Sequence, residues 1–146
     1  MKPKTINFLN RLITYSIYAI YPIVLILLIW NRDERAWRVF LAPAISFILV
    51  SIFRNKINAP RPYEVNDTKP LIKKDTKGKS FPSRHVFSVF VIASTLYFIS
   101  QPLGIILMLA GVLLAFLRVI GGVHFPRDVI VGAVIGIVSG ILGFYL

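Results

Sequence analysis

The chain has 146 residues, enough for one domain and too few for two. At 56% hydrophobic residues and a mean hydropathy of +0.73 it is too apolar for an ordinary soluble domain, and with no cysteine it has neither disulfides nor thiolate metal sites. The formal net charge is +11, which in a soluble protein would suggest nucleic acid; here the cations lie between long apolar runs, so lipid headgroups or phosphate are the expected partners and nucleic acid is not.

Five apolar segments follow in order: Leu12–Trp30, Trp37–Phe53, Val86–Ser100, Leu103–Leu117 and Val129–Leu146. A helix needs about 20 residues to cross a bilayer core, with about 17 as the usual lower limit. The third and fourth segments reach that length only if Ser83–His85 and Arg118–Ile120 extend their helices, which is the expectation. Lys2, Lys4 and Arg11 before the first segment imitate a signal peptide, but the run to Trp30 is too long for one and is read as a retained membrane helix. In the fifth segment Gly132, Gly136 and Gly140 fall four apart, a smooth strip that lets a neighbouring backbone approach closely.

Two connections are short, Asn31–Ala36 and a turn at Gln101–Pro102. A third, Arg118–Asp128, contains Gly121, Gly122 and Pro126. The fourth, Arg54 to Arg84, is long and basic; Lys69 to Lys79 carries five lysines and is expected to be mobile at the headgroup surface, and no specific role is read for residues 63–80. The pattern predicts an all-α integral membrane protein, a single domain over residues 1–146 made of a bundle of about five transmembrane helices.

Alternating helices bring the polar residues together. The second segment ends at Arg54, the third begins at Ser83, Arg84 and His85, the fourth ends at Arg118, and the fifth begins near His124 and Asp128. All of these lie at one membrane face, where ionisable residues by default suggest function. Arg54, Arg61, Arg84 and Arg118 offer planar, permanently charged forks suited to phosphate oxygens. Ser83 and His124 precede helix N-termini, which attract anions, and Pro82 and Pro126 suit the starts of those helices. Asp128, four residues after His124, can accept a hydrogen bond from its ring, fix the tautomer and leave the other nitrogen free to attack. His85 can then protonate the departing oxygen. The alternatives are plainer. A single histidine at a helix end is more often structural, and interfacial arginines often only reach for headgroups. A metal held by the histidines and Asp128 is disfavoured by the surrounding guanidinium charge, so neither metal nor cofactor is expected.

In these residues the chain resembles the type 2 phosphatidic acid phosphatase family, related to the vanadium haloperoxidases. Its signatures are Lys-x6-Arg-Pro, Pro-Ser-x-His and Ser-Arg-x5-His-x3-Asp. The counterparts are Arg54-x6-Arg61-Pro62, Pro82-Ser83-Arg84-His85 and Arg118-x5-His124-x3-Asp128, in order across residues 54–128. The resemblance implies that His124 is a nucleophile forming a phosphohistidine and that Asp128 orients it. It further implies that His85 protonates the leaving group, that Arg54, Arg61, Ser83 and Arg118 hold phosphate, and that no metal is needed. Arg54 departs from the family lysine, Leu117 from the small or hydroxyl residue before Arg118, and five segments from the common six, the first being the one without a counterpart.

The expected reaction is hydrolysis of a membrane-lipid phosphomonoester or diphosphate. Phosphatidate, phosphatidylglycerol phosphate and polyprenyl phosphate or diphosphate all fit, and the sequence does not choose among them or indicate an oligomeric state. One rival is a non-enzymatic phospholipid-binding or transport protein, which would not need His85, His124 and Asp128 together. A second is an oxidoreductase holding vanadate through His124, which a halide oxidation assay would reveal. The expected location is a multi-pass position in a bacterial plasma membrane. The resemblance favours an external site and the distribution of positive charge a cytoplasmic one, so the face is left open.

Overall fold

A computed structural model describes residues 1–146 as helices joined by turns, without strands. In chain order these are α1 (Pro3–Trp30), α2 (Ala36–Ile57), the single turn α3 (Pro62–Val65), α4 (Arg84–Tyr97), α5 (Gln101–Ile120) and α6 (Pro126–Tyr145). Four of the five expected spans, α1, α2, α5 and α6, are long and apolar enough to cross a bilayer. Their exposed faces carry large apolar side chains such as Ile26, Phe40, Ile48, Leu109 and Ile130, a surface suited to lipid rather than water.

The third segment differs from expectation. α4 has 14 residues, about 21 Å of helix, less than the ~30 Å of a hydrocarbon core. It is the central helix, with every residue from Val86 to Leu96 buried among α2, α5 and α6. Protein replaces lipid around it, so its length need not match the bilayer. It still joins the two ends of the bundle. At the far end Arg35 in the α1–α2 turn donates to the Phe98 carbonyl at 3.2 Å, and the Phe98 ring stacks on Phe144 at 4.6 Å.

Several boundaries move. α1 begins at Pro3 and not Leu12, so its first turns, polar as they are, remain helical. Gln101 and Pro102 open α5 instead of forming a turn; the reversal occurs at residues 98–100, and a proline in the first helical turn sacrifices no hydrogen bond. Arg118–Ile120 do continue α5. Pro126 starts α6, whereas Pro82 lies before the Ser83 cap of α4 and outside that helix. His124 is one residue before the Phe125 cap.

The α4–α6 contact positions the site. A Cβ built on Gly132 would lie 2.6 Å from the Ser83 carbonyl oxygen, and one on Gly136 would lie 2.8 Å from that of Phe87. Only hydrogen fits there, and the strip holds the start of α6 against the start of α4. The Ser83 N–H donates to the Asp128 carbonyl across that contact at 2.9 Å.

The basic connection is not free at the surface. The Leu71 and Ile72 N–H groups donate to the Gly121 carbonyl at 2.9 and 3.2 Å. Ile72 is buried with Ile6, Leu117 and Val123. Asn7 of α1 donates to the Leu71 carbonyl at 2.8 Å and accepts from the Lys73 N–H at 3.4 Å. Further along, the Gly78 N–H donates to Glu64, Tyr63 donates to the Thr76 carbonyl, and the Ser80 N–H donates to the Ala59 carbonyl. Lysine count alone points to a solvated strand. The single apolar Ile72 and these backbone bonds fold it over the end of the bundle.

Candidate active site

The C-termini of α2 and α5 and the N-termini of α4 and α6 meet at one end, as alternation of the helices requires. His124 and Asp128 are buried there, with His124 Nδ1 3.5 Å from Asp128 Oδ2. That carboxylate oxygen also accepts from the Ser80 hydroxyl and, at 2.8 Å, from the Phe125 N–H. Ser80 Oγ lies 3.4 Å from His124 Nδ1. Both polar neighbours of Nδ1 are acceptors for its proton, so Nδ1 carries the hydrogen and Nε2 keeps its lone pair. Burial pushes the His124 imidazole down to about 4; Asp128 opposes the shift, and the Arg118 and Arg61 charges add to it. A neutral ring with a free nitrogen is the state a nucleophile needs.

Three of the four expected guanidinium groups are buried beside this pair. Arg61, 1% exposed, donates to the carbonyls of Gly78 at 2.9 Å, Val123 at 3.1 Å and Lys79 at 3.4 Å. Arg54 donates to the same Lys79 carbonyl, and its Nε has no acceptor. Arg118 reaches Asn10 of α1 at 3.4 Å, while its Nε and Nη2 are buried without acceptors. Asp128 is the one buried carboxylate. Arg84 behaves differently: it is exposed, donates to Ser51 at 3.3 Å and lies over the Phe47 ring. Arg84 therefore stands at the α2 side of the cluster, because the turn that aims His85 inward aims its neighbour toward Ser51 and Phe47. Ser83 is buried, caps α4 through the Val86 N–H at 3.4 Å, and belongs to the α4–α6 junction.

A cavity of about 440 Å³ opens beside the cluster, walled by His85, Arg118, the loop from Ile72 to Thr76 and one face of α1. His124 does not line it. Sequence reasoning missed three contributors. Ser80 has no motif spacing to mark it. Lys74 is one lysine among five. The α1 stripe of Asn7, Asn10, Arg11, Thr14, Tyr15 and Tyr18 was legible as a helical i, i+3, i+4, i+7 pattern, but it begins before the apolar run taken for the helix.

A family model described as the PAP2 superfamily matches residues 35–146. Among curated proteins, the chain is 33% identical over 85 residues to undecaprenyl-diphosphatase BcrC of Bacillus subtilis, covering 58% of this chain and 44% of that protein. It is 28% identical over 121 residues to an undecaprenyl-diphosphatase of Sulfolobus acidocaldarius, covering 82% and 59% respectively. The chain thus spans about half the length of the curated relatives it matches. Among solved structures, Aquifex aeolicus LpxE superposes with a TM-score of 0.81 at 32% identity, over all of this chain and 88% of that one. A PAP2-type phosphatidylglycerolphosphate phosphatase of Bacillus subtilis superposes with a TM-score of 0.76 at 20% identity, over 98% and 75%, a likeness that speaks for the fold. With the family model covering most of its length and the signature residues gathered at one end of a helical membrane bundle, the chain belongs to the PAP2 superfamily.

Proposed function

We propose that this chain is a metal-independent lipid phosphatase of a bacterial plasma membrane, working through a phosphohistidine on His124. The observation that carries the reading is a charge imbalance. Arg54, Arg61 and Arg118 are buried together with three unpartnered guanidinium nitrogens, against one buried carboxylate whose Oδ2 is engaged by Ser80 and Phe125 and whose Oδ1 accepts no hydrogen bond. Buried charge without a counter-charge costs several kcal/mol per ion, and a phosphate dianion supplies both the charge and the acceptors. In this scheme phosphate oxygens take over the Arg54 and Arg61 donors now held by the Lys79 carbonyl. His124 Nε2 attacks phosphorus in line with the leaving oxygen, and the Nδ1–H remains directed at Asp128 and Ser80. His85 protonates the leaving oxygen, and water then releases phosphate from His124. Two curated relatives are named for undecaprenyl diphosphate, which makes a polyprenyl diphosphate the first choice over phosphatidate and phosphatidylglycerol phosphate.

The test is phosphate release by detergent-purified protein from a panel of these lipids, with rapid quench of labelled substrate. An acid-labile phosphoenzyme is expected in the wild type and none in His124→Ala, whose turnover is abolished. Asp128→Asn keeps a small residual rate, because it disturbs orientation without deleting the attacking atom. Activity is expected to survive EDTA and to be inhibited by vanadate. Near-normal turnover of His124→Ala would overturn the mechanism, and phospholipid binding without turnover would overturn the assignment as an enzyme.

A further inference from the structure

Of the five lysines in the basic loop, Lys69, Lys73, Lys77 and Lys79 are exposed and Lys74 is half-buried. Lys74 shares the wall of the 440 Å³ cavity with His85 and Arg118. Its position is set from both sides just upstream, because Leu71 and Ile72 are tied to Gly121, Leu71 and Lys73 are tied to Asn7, and the Ile72 side chain is buried. No carboxylate of the chain forms an ion pair with it. Burial, and after it the charges of Arg118, Arg61, Arg54 and Arg84, pushes its ammonium down to about 8, so a cation is held among cations. Such a lysine has no reason to fold inward for stability. A loop lysine at the headgroup layer would otherwise extend its flexible stem to water.

We propose that Lys74 binds the second phosphate of a diphosphate substrate, the one that stays on the lipid, and so sets the preference for diphosphates over monophosphates. The inference rests on the phosphatase reading above. Lys74 lies on the His85 side of the cluster, in a cavity that His124 does not line, which is where a leaving group belongs. In the reaction a bond forms between His124 Nε2 and the terminal phosphorus. The bond from that phosphorus to the bridging oxygen breaks, and its electron pair stays on the bridging oxygen. Negative charge develops on that oxygen and spreads over the lipid phosphate until His85 delivers its proton there, and the Lys74 ammonium compensates the charge as it develops. A monophosphate substrate places an uncharged lipid oxygen there and gains little from the lysine.

The experiment compares farnesyl diphosphate with farnesyl monophosphate as substrates of the full chain in detergent, for wild type, Lys74→Met and Lys74→Arg. The ratio of kcat/KM for diphosphate over monophosphate is expected to fall about 10- to 100-fold in Lys74→Met, the worth of one hydrogen bond to a charged group. Lys74→Arg should restore most of the ratio. Loss of stability in the variant lowers both rates and leaves the ratio unchanged, so an unchanged ratio overturns the proposal. A second arm needs no turnover: thermal stabilisation of the same proteins by inorganic pyrophosphate and by orthophosphate. Wild type should prefer pyrophosphate, and Lys74→Met should lose that preference. A wild type inactive on both lipids would overturn the phosphatase reading, while the pyrophosphate preference would still decide for or against the second-phosphate site.

Discussion

At His124 burial and the neighbouring arginines oppose Asp128, and burial wins: the imidazole falls from the ordinary 6.5 to about 4. The sign follows directly. A histidine whose folded value lies below its unfolded value stays neutral as pH falls past 6.5, and it opposes folding increasingly from there down to about 4. The chain has two histidines, so nitrogen-detected NMR of the detergent-solubilised protein can follow both, with His85→Gln assigning the pair. At pH 5.5 His124 should remain neutral with its proton on Nδ1, where a free imidazole would be mostly charged. A midpoint at or above 6.5 would contradict a buried imidazole flanked by the Arg118 and Arg61 charges. Among the residues, the His124–Asp128 spacing was legible because one helical turn imposes it. Ser80 was not, since its contact with Asp128 spans 48 positions and depends on how the loop closes. The outward turn of Arg84 was equally invisible, because four arginines read alike in one dimension.

Elements place those residues, and the decisive contact is the glycine strip of α6 on α4. Gly136→Leu would set a Cβ 2.8 Å from the Phe87 carbonyl oxygen and push the helices apart, displacing His124 and Asp128 from Ser83 and His85. Overpacking of this kind costs about 1–3 kcal/mol, so a lower unfolding temperature in detergent and a loss of turnover of about tenfold or more are expected. Val134→Leu, on the exposed face of the same helix, should change neither. Wild-type turnover in Gly136→Leu would show that the α4–α6 contact does not position the site. Five apolar helices could be read from the hydropathy pattern, and so could the close approach at the strip. The shortness of α4 could not: hydropathy does not distinguish a helix sheathed in protein from one facing lipid. The ordered loop escaped for a related reason, since one buried Ile72 among five lysines leaves no mark on composition.

Across the whole molecule the charge is lopsided. Arg32, Arg35 and Arg38 lie at the α1–α2 end, and the other Lys and Arg residues lie at or near the site end. Thr76, in the loop over the site, and Glu34, in the α1–α2 turn, are both exposed at opposite ends of the bundle, and the chain has no cysteine of its own. In intact cells a membrane-impermeant maleimide should label only one of Thr76→Cys and Glu34→Cys, and the labelled one identifies the face that carries the site. Labelling of both, or of both only after lysis, would contradict the arrangement of helices across the bilayer. The sequence by itself determined the membrane character, the order of the five apolar helices and the end at which the charged residues gather. Those follow from apolar run length and from simple alternation, which act locally along the chain. Tertiary structure alone decided that α4 is central, that Arg61 and Arg54 share the Lys79 carbonyl, that Arg84 reaches Ser51 of α2, and that Lys74 is half-buried in the cavity wall. Each of these depends on which distant surfaces exclude water and lipid from one another, and that is a property of packing in three dimensions.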